Sequence, residues 1–142
     1  MTKPVEGGDS IFFPGHIKGA RLEVGYFDKA RTKKKYSGHY LDDKKHGVWI
    51  YYYESGDLHE IVTYKDGLKD GDYENYQWGR KNHEGSYTKD NRDGYWIWYT
   101  WDKNGKEIVL ESGKYKNGKK CGTWERYYPL LKKYKSTEHG SC

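Results

Sequence analysis

Aromatic and polar positions recur in four segments of the chain between Gly38 and Pro129. In each segment a tyrosine is followed seven positions later by a glycine, two residues after that by Trp or Tyr, and three residues later by another tyrosine. The segments begin at Gly38, Val62, Gly85 and Gly113, which gives steps of 24, 23 and 28 residues. A period of this length is typical of stacked repeats.

Four columns of residues define the repeat. The first tyrosines are Tyr40, Tyr64, Tyr87 and Tyr115, and the glycines are Gly47, Gly71, Gly94 and Gly122. The following aromatic residues are Trp49, Tyr73, Trp96 and Trp124, and the second tyrosines are Tyr52, Tyr76, Tyr99 and Tyr127. We interpret these shared columns as structural, because each unit of a repeat must solve the same packing problem.

Each repeat reads as strand, turn and strand. Asp66-Gly67 and Asn117-Gly118 are strong hairpin turns, and Asp42-Asp43 and Asp90-Asn91 are weaker equivalents. The residues that follow alternate in type, as in a β-strand. An isolated hairpin is marginally stable, so neighbouring hairpins must pair and stack their rings. The pattern predicts an all-β fold, an elongated single-sheet antiparallel meander of tandem β-hairpins.

The composition supports this prediction. Only 34% of the 142 residues are hydrophobic, but 16 are Tyr and 6 are Trp. Disordered chains are poor in aromatic residues, which argues against disorder although 33% of the residues are charged. The chain has the length of one domain, and its core is expected to be thin and aromatic.

Two stretches resemble the MORN repeat, and more closely the bacterial variant found in antitoxins of toxin–antitoxin systems. They are YKDGLKDGDY from Tyr64 and YKNGKKCGTW from Tyr115, and HGVWIYYYESGDL is similar to the portion between repeats. The resemblance covers about two thirds of the chain. It implies a ribbon of hairpins used for binding, in some members as an immunity protein that neutralises a toxin. It does not identify the partner.

The repeats divide the chain into three parts. Residues 38–129 hold the four repeats, and residues 1–37 precede them as an irregular or partly paired segment. A degenerate earlier unit that ends near Gly25 and Phe27 is an alternative for that segment. Residues 130–142 form a C-terminal tail, which is expected to begin with a helical turn at Leu130.

Some aromatic residues are not required by the repeat and are therefore candidates for partner binding. Tyr and Trp are favoured in binding hot spots, although extra core area is the alternative explanation. The candidates are Tyr51, Tyr53, Trp78, Trp98, Trp101 and Tyr128. With the family resemblance, they favour a non-enzymatic protein-binding module, an antitoxin or immunity protein whose partner is a toxin or an enzyme.

A basic run precedes the first repeat and is a candidate anion-binding site. It includes Arg31, Lys33, Lys34 and Lys35, and the chain carries a net charge of +5. An adaptor for anionic lipid or nucleic acid is therefore an alternative function, although a solvated linker is the simpler explanation. A phage or host inhibitor that blocks an enzyme or captures a small ligand is another alternative.

The sequence predicts no catalytic residue, cofactor or metal site. The residues directly before the four glycines of the repeat are His46, Asp70, Asp93 and Cys121. All are ligand types, but they lie two strands apart, about 9–10 Å, which is too far for one ion. Cys121 and Cys142 are interpreted as ordinary thiols. Because no long apolar run or secretory h-region is found, a cytoplasmic location is expected.

Overall fold

Ten antiparallel strands form one sheet in the computed structural model, which describes residues 18–142. The sheet order follows the chain order, so each strand pairs with the next. The strands are β1 Arg21–Tyr26, β2 Lys34–Leu41, β3 Lys44–Tyr52, β4 Leu58–Lys65, β5 Leu68–Gln77, β6 Arg80–Thr88, β7 Asn91–Trp101, β8 Glu107–Lys116, β9 Lys119–Tyr128 and β10 Lys133–His139. This architecture confirms the predicted single-sheet meander.

The sheet extends beyond the four repeats at both ends. β1 pairs with β2 from the Arg21–Tyr40 pair onward, and β10 pairs with β9 from Lys133–Tyr128 to His139–Gly122. The predicted helical turn from Leu130 does not continue into the tail. Two i→i+3 hydrogen bonds, from Leu131 to Tyr128 and from Lys132 to Pro129, close a turn there, and a strand begins at Lys133. Residues 1–17 of the predicted N-terminal segment lie outside the described part of the chain.

Four two-residue turns lie at one end of the strands, termed the turn end. They span residues 42–43, 66–67, 89–90 and 117–118, and both residues of each turn have positive φ, as a type I′ turn requires. The prediction of Asp90-Asn91 as the third turn is wrong by one residue, because Lys89 and Asp90 occupy the two left-handed positions. The third turn keeps its position two and three residues after the first tyrosine of the repeat, as in the other repeats, although Asn91 would suit a turn better than Lys89.

Three of the four turns also bind the hairpin before them. The amide of Gly67 donates a hydrogen bond of 2.9 Å to the carbonyl of Lys45, and Asp90 and Gly118 make the equivalent bonds to Lys69 and Arg92. Neighbouring hairpins are therefore coupled through their turns as well as through strand pairing, as expected for a nearest-neighbour repeat.

The core is a row of indole rings that lie on glycines. A Cβ atom added to Gly85 would lie 2.2 Å from the ring of Trp96, and the pairs Gly38–Trp49 and Gly113–Trp124 are equally close. The three indoles are at most 2% exposed. Because the glycines have no side chain, each ring packs directly on the backbone of the preceding strand.

The second repeat solves the same packing problem with different residues. Val62 replaces the glycine and Tyr73 replaces the tryptophan, and these residues are 1% and 6% exposed. The smaller ring leaves room for the valine side chain. In the other three repeats the indole N–H donates a 3.0 Å bond to a backbone carbonyl ten residues earlier, on the preceding strand. The acceptors are the carbonyls of His39, Ser86 and Lys114.

Cys121 and Cys142 form a disulfide bond, so their interpretation as ordinary thiols is wrong. Pairing of β10 with β9 brings their Cα atoms to 5.0 Å, and the amide of Gly122 donates to the carbonyl of Gly140 beside them. The bond ties the last residues of the chain to β9. A cytoplasmic protein would hold these cysteines reduced, so the predicted location stays an untested prediction.

Candidate functional site

The aromatic face is the side of the sheet that carries the three buried indoles. The first tyrosine of a repeat packs edge-on against the indole of the same hairpin. For Tyr87 and Trp96 the ring centroids are 5.2 Å apart with planes at 89°, and Tyr115 and Trp124 pack in the same way at 5.1 Å and 88°. Edge-to-face geometry is the favoured arrangement of aromatic pairs. These rings form the scaffold of the face.

A column of cations covers the rings. Each cation lies two residues before the glycine of the repeat column that begins with Gly47. Each stands over the aromatic ring four residues after itself. The four pairs are Lys45–Trp49 at 4.8 Å, Lys69–Tyr73 at 5.6 Å, Arg92–Trp96 at 4.7 Å and Lys120–Trp124 at 4.2 Å. This column of cations was not predicted, although its fixed spacing is visible in the sequence.

Two of the candidate binding residues, Tyr51 and Trp98, belong to the aromatic face. The Tyr51 ring stacks on Trp49 at 6.2 Å, and its hydroxyl accepts a 2.8 Å hydrogen bond from Lys45 Nζ. Burial raises the pKa of Tyr51 above its usual value. Trp98 is half-buried and stacks on His83 at 5.6 Å. These contacts fit the alternative of extra core area, and a role of the two residues in partner binding stays a prediction.

His83 is a titratable group within the aromatic face. Burial, and then the nearby Arg92, lower its pKa, while Glu60 acts weakly in the opposite direction. The folded protein therefore favours the neutral imidazole, whose Nδ1 lies 2.7 Å from Asn82 Oδ1.

Acidification is expected to destabilise the protein through His83. Its pKa in the folded state lies below the unfolded value of about 6.5, so its stabilising contribution is present above pH ~6.5 and falls at lower pH. Unfolding free energies of wild type and His83→Asn, measured by denaturant titration near neutral pH and about one pH unit below 6.5, test this. The variant should lose less stability on acidification, and an equal loss would contradict the assignment.

The other four aromatic candidates lie at the loop end, the end of the strands opposite the turn end. It comprises residues 27–33, 53–57, 78–79, 102–106 and 129–132, which connect the strands. Tyr53 stacks on His59 at 4.3 Å and donates its hydroxyl to the carbonyl of Tyr76. Trp101 and Tyr128 lie further along this end, where Arg80 and Lys135 stand 5.3 Å over their rings.

Trp78 differs from every other tryptophan of the chain. It is 89% exposed and has a φ of 50°, in a two-residue turn with Gly79. Beside it lies a groove of about 510 Å³, lined also by Tyr53, Ser55, Asp57 and Gln77. Two candidates from separate repeats, Tyr53 and Trp78, thus line one groove.

The four candidate anion-binding residues all have partners within the protein. Arg31 and Lys35 stand over the rings of Tyr26 and Phe27, at 5.0 and 5.5 Å. Lys34 stands over Tyr52 at 5.9 Å, and Lys33 lies 4.0 Å from Glu54. These contacts hold the β1–β2 loop against its neighbours. They leave less support for a phosphate-binding role, which stays a prediction.

Asp28 organises that loop. Its carboxylate accepts hydrogen bonds from the Thr32 hydroxyl and from the amides of Thr32 and Lys33, at 3.0 and 2.8 Å for the amides. These bonds, that of the Thr32 hydroxyl first, lower the pKa of Asp28.

The predicted lack of a metal site remains untested. Within residues 18–142, no group of three or more His, Cys, Asp or Glu side chains is placed to hold a metal ion. The same part of the chain contains no helix that could span a membrane. Comparison with protein-family models and with curated proteins gives no match.

Proposed function

We propose that this chain is a non-enzymatic binding protein whose partner is another protein. The contact is made at the loop end, with Trp78 as the anchor and the groove beside Tyr53 as the surrounding surface. Exposed tryptophan is the residue type most enriched among binding hot spots, which supports this choice.

The conformation and exposure of Trp78 together carry the proposal. A left-handed backbone favours Gly, Asn or Asp, and a bulky residue there costs roughly 1 kcal/mol. The first positions of the four turns at the turn end are Asp42, Asp66, Lys89 and Asn117. An exposed tryptophan in this conformation does not help the hairpin to form. Residues that conflict with local structure and lack a packing reason are expected at functional sites.

The resemblance to MORN repeats extends the proposal to the class of partner. We propose a toxin or an enzyme that is neutralised when it is bound. The support is the likeness of the stretches from Tyr64 and Tyr115 to that family, together with a meander of hairpins compatible with it.

Replacing Trp78 by alanine is expected to weaken partner binding at least about thirtyfold, as loss of a hot-spot side chain does. The partner would first be captured from the native source with wild-type protein, and its affinity for each variant then measured by titration. Tyr95→Ala is the matched control. Tyr95 is 66% exposed and lies outside the loop end, on the face of the sheet opposite the aromatic face. Equal affinities of the Trp78 variant and wild type would sink the proposal.

A further inference from the structure

Three neighbouring cations of the aromatic face lack a carboxylate partner in the described part of the chain. They are Lys45, Lys69 and Arg92, none of which lies within 4.0 Å of an Asp or Glu oxygen there. Each is half-buried and stands over aromatic rings. These cations are therefore partly removed from water and held in place, but their charge is not neutralised.

Among the residues that the structure describes, few carboxylates lie on the aromatic face, and two of the three are paired with other cations. Within residues 18–142, strand alternation places only Glu23, Glu60 and Glu111 on this face. Glu23 binds Arg21 at 2.7 Å, and Glu111 binds Lys120 and Arg126 at 3.2 Å. Glu60 accepts a 2.6 Å hydrogen bond from the Tyr73 hydroxyl. Because that partner is neutral, Glu60 keeps its charge, and within this part of the chain the middle of the face presents a line of three unpaired cations with one carboxylate near them.

Tyrosine hydroxyls accompany these cations. Arg92 donates to the Tyr115 hydroxyl at 3.3 Å, and Lys45 donates to the Tyr51 hydroxyl. At Lys45 the rings also enclose a shallow groove of about 190 Å³, lined by Tyr36 and Tyr40 among others. A cation with neutral hydroxyls beside it is suited to receive a carboxylate, because both groups donate hydrogen bonds to it.

We propose that this line of cations binds an acidic polypeptide segment in the polyproline II conformation, with a carboxylate at about every third residue. Successive cations are two strands apart, roughly 10–12 Å once the stagger of the strand register is included. A polyproline II chain places every third residue on the same side, about 9.3 Å apart. The remaining difference is small relative to the length of lysine and arginine side chains. Grooves lined with aromatic rings recognise this conformation, and the partly exposed rings of Tyr36 and Tyr40, unlike the buried indoles, line the groove at Lys45.

The same geometry disfavours a nucleic acid on this face. The indoles of Trp49, Trp96 and Trp124 are at most 2% exposed and offer no ring surface on which bases could stack. Each strand of duplex DNA carries one phosphate per ~3.4 Å of helix axis, a closer axial spacing than that of the cations. A regular, wide spacing of single charges fits a peptide better.

This surface is separate from the loop end, so the inference goes beyond the proposed function and can fail independently of it. The test uses two synthetic peptides of the same composition. One repeats Glu-Pro-Pro, and the other gathers its glutamates at one end. Binding to the full chain is measured at low salt by tryptophan fluorescence and calorimetry, alongside a single-stranded oligonucleotide and phosphatidylserine vesicles.

We expect the Glu-Pro-Pro peptide to bind at least about fivefold more tightly than the block peptide, because only its spacing matches the cations. The double variant Lys69→Gln, Arg92→Gln should bind it about tenfold more weakly. The matched control Lys103→Gln, Lys106→Gln removes the same charge from the loop end and should change affinity less than about twofold.

Several results would overturn the inference. They are no binding of the Glu-Pro-Pro peptide, equal binding of both peptides, equal losses in the two double variants, or a preference for the oligonucleotide or the vesicles. The comparison of the two peptides uses wild-type protein alone, so it decides the question even where the Lys69, Arg92 variant does not fold.

Discussion

Replacing Gly85 by alanine is expected to lower the free energy of unfolding by about 3 kcal/mol, the upper part of the range for overpacking a core. The new Cβ atom would lie 2.2 Å from the Trp96 ring. That ring is fully buried, and Tyr73 and Tyr87 pack against it at 5.6 and 5.2 Å. It therefore has no room to move aside. Denaturant unfolding followed by tryptophan fluorescence measures the loss.

A second change, at Trp96, should restore part of the stability that is lost when a side chain is added at Gly85. Val62 and Tyr73 occupy the equivalent positions of the second repeat, which shows that a side chain fits there under a smaller ring. The double variant Gly85→Val, Trp96→Tyr should thus be more stable than Gly85→Val alone, with a coupling energy of about 1–3 kcal/mol. Gly140→Ala is the control for chain entropy, because Gly140, like Gly85, lies outside the left-handed region but has no atom within 4 Å of the added Cβ. If the two changes were simply additive, the packing explanation of the glycine column would be wrong.

Replacing Trp96 by alanine is expected to cost about 3–5 kcal/mol, the usual effect of removing a large buried ring. Trp96 is 0% exposed and stands at the centre of the row of rings. Trp98→Ala should cost less, because that ring is only half-buried at the surface of the same cluster. Trp101→Ala, at the loop end, should cost least. The three free energies of unfolding, measured side by side, give the order.

An equal cost for Trp96→Ala and Trp98→Ala would contradict the distinction between core and covering rings. The same variants also separate structure from binding. If Trp98 is core area, as its contacts with His83 and Trp124 indicate, its removal should affect partner binding only as far as it affects stability.

The hairpin fold could be predicted from the sequence because it depends on local spacing. The interval from Tyr87 to Gly94 and Trp96 is fixed by one strand–turn–strand unit, and the same interval recurs four times. Turn chemistry then places the reversals at Asp66-Gly67 and Asn117-Gly118. Alternation along a strand places Trp96 and Trp98 on the same face, in agreement with their ring contact at 5.8 Å.

Two features of the aromatic face needed the structure. The glycine that begins a repeat packs under a ring eleven residues later, so Gly113 and Trp124 are recognised as a pair only once the register is known. The register then also shows that Val62 and Tyr73 are the equivalent pair in the second repeat. The fixed spacing of cations such as Lys45 and Lys69 is visible in the sequence, but their position over the aromatic rings is not.

Contacts between distant residues could not be predicted at all. The disulfide joins residues 21 positions apart, and it depends on β10 pairing with β9. Residues 130–142 lack the repeat pattern, so no spacing indicated that strand. Of the six candidate binding residues, the structure leaves Trp78 as the one whose exposure the fold does not explain.

The unfolding free energy of Trp78→Asn tests most directly whether this residue is held for binding rather than for folding. Asn suits the left-handed position that Trp78 occupies, so the variant should be as stable as wild type or up to about 1 kcal/mol more stable. Its affinity for the captured partner should fall as that of Trp78→Ala does. A loss of stability greater than about 1 kcal/mol would show that the fold itself requires Trp78, and would contradict the account.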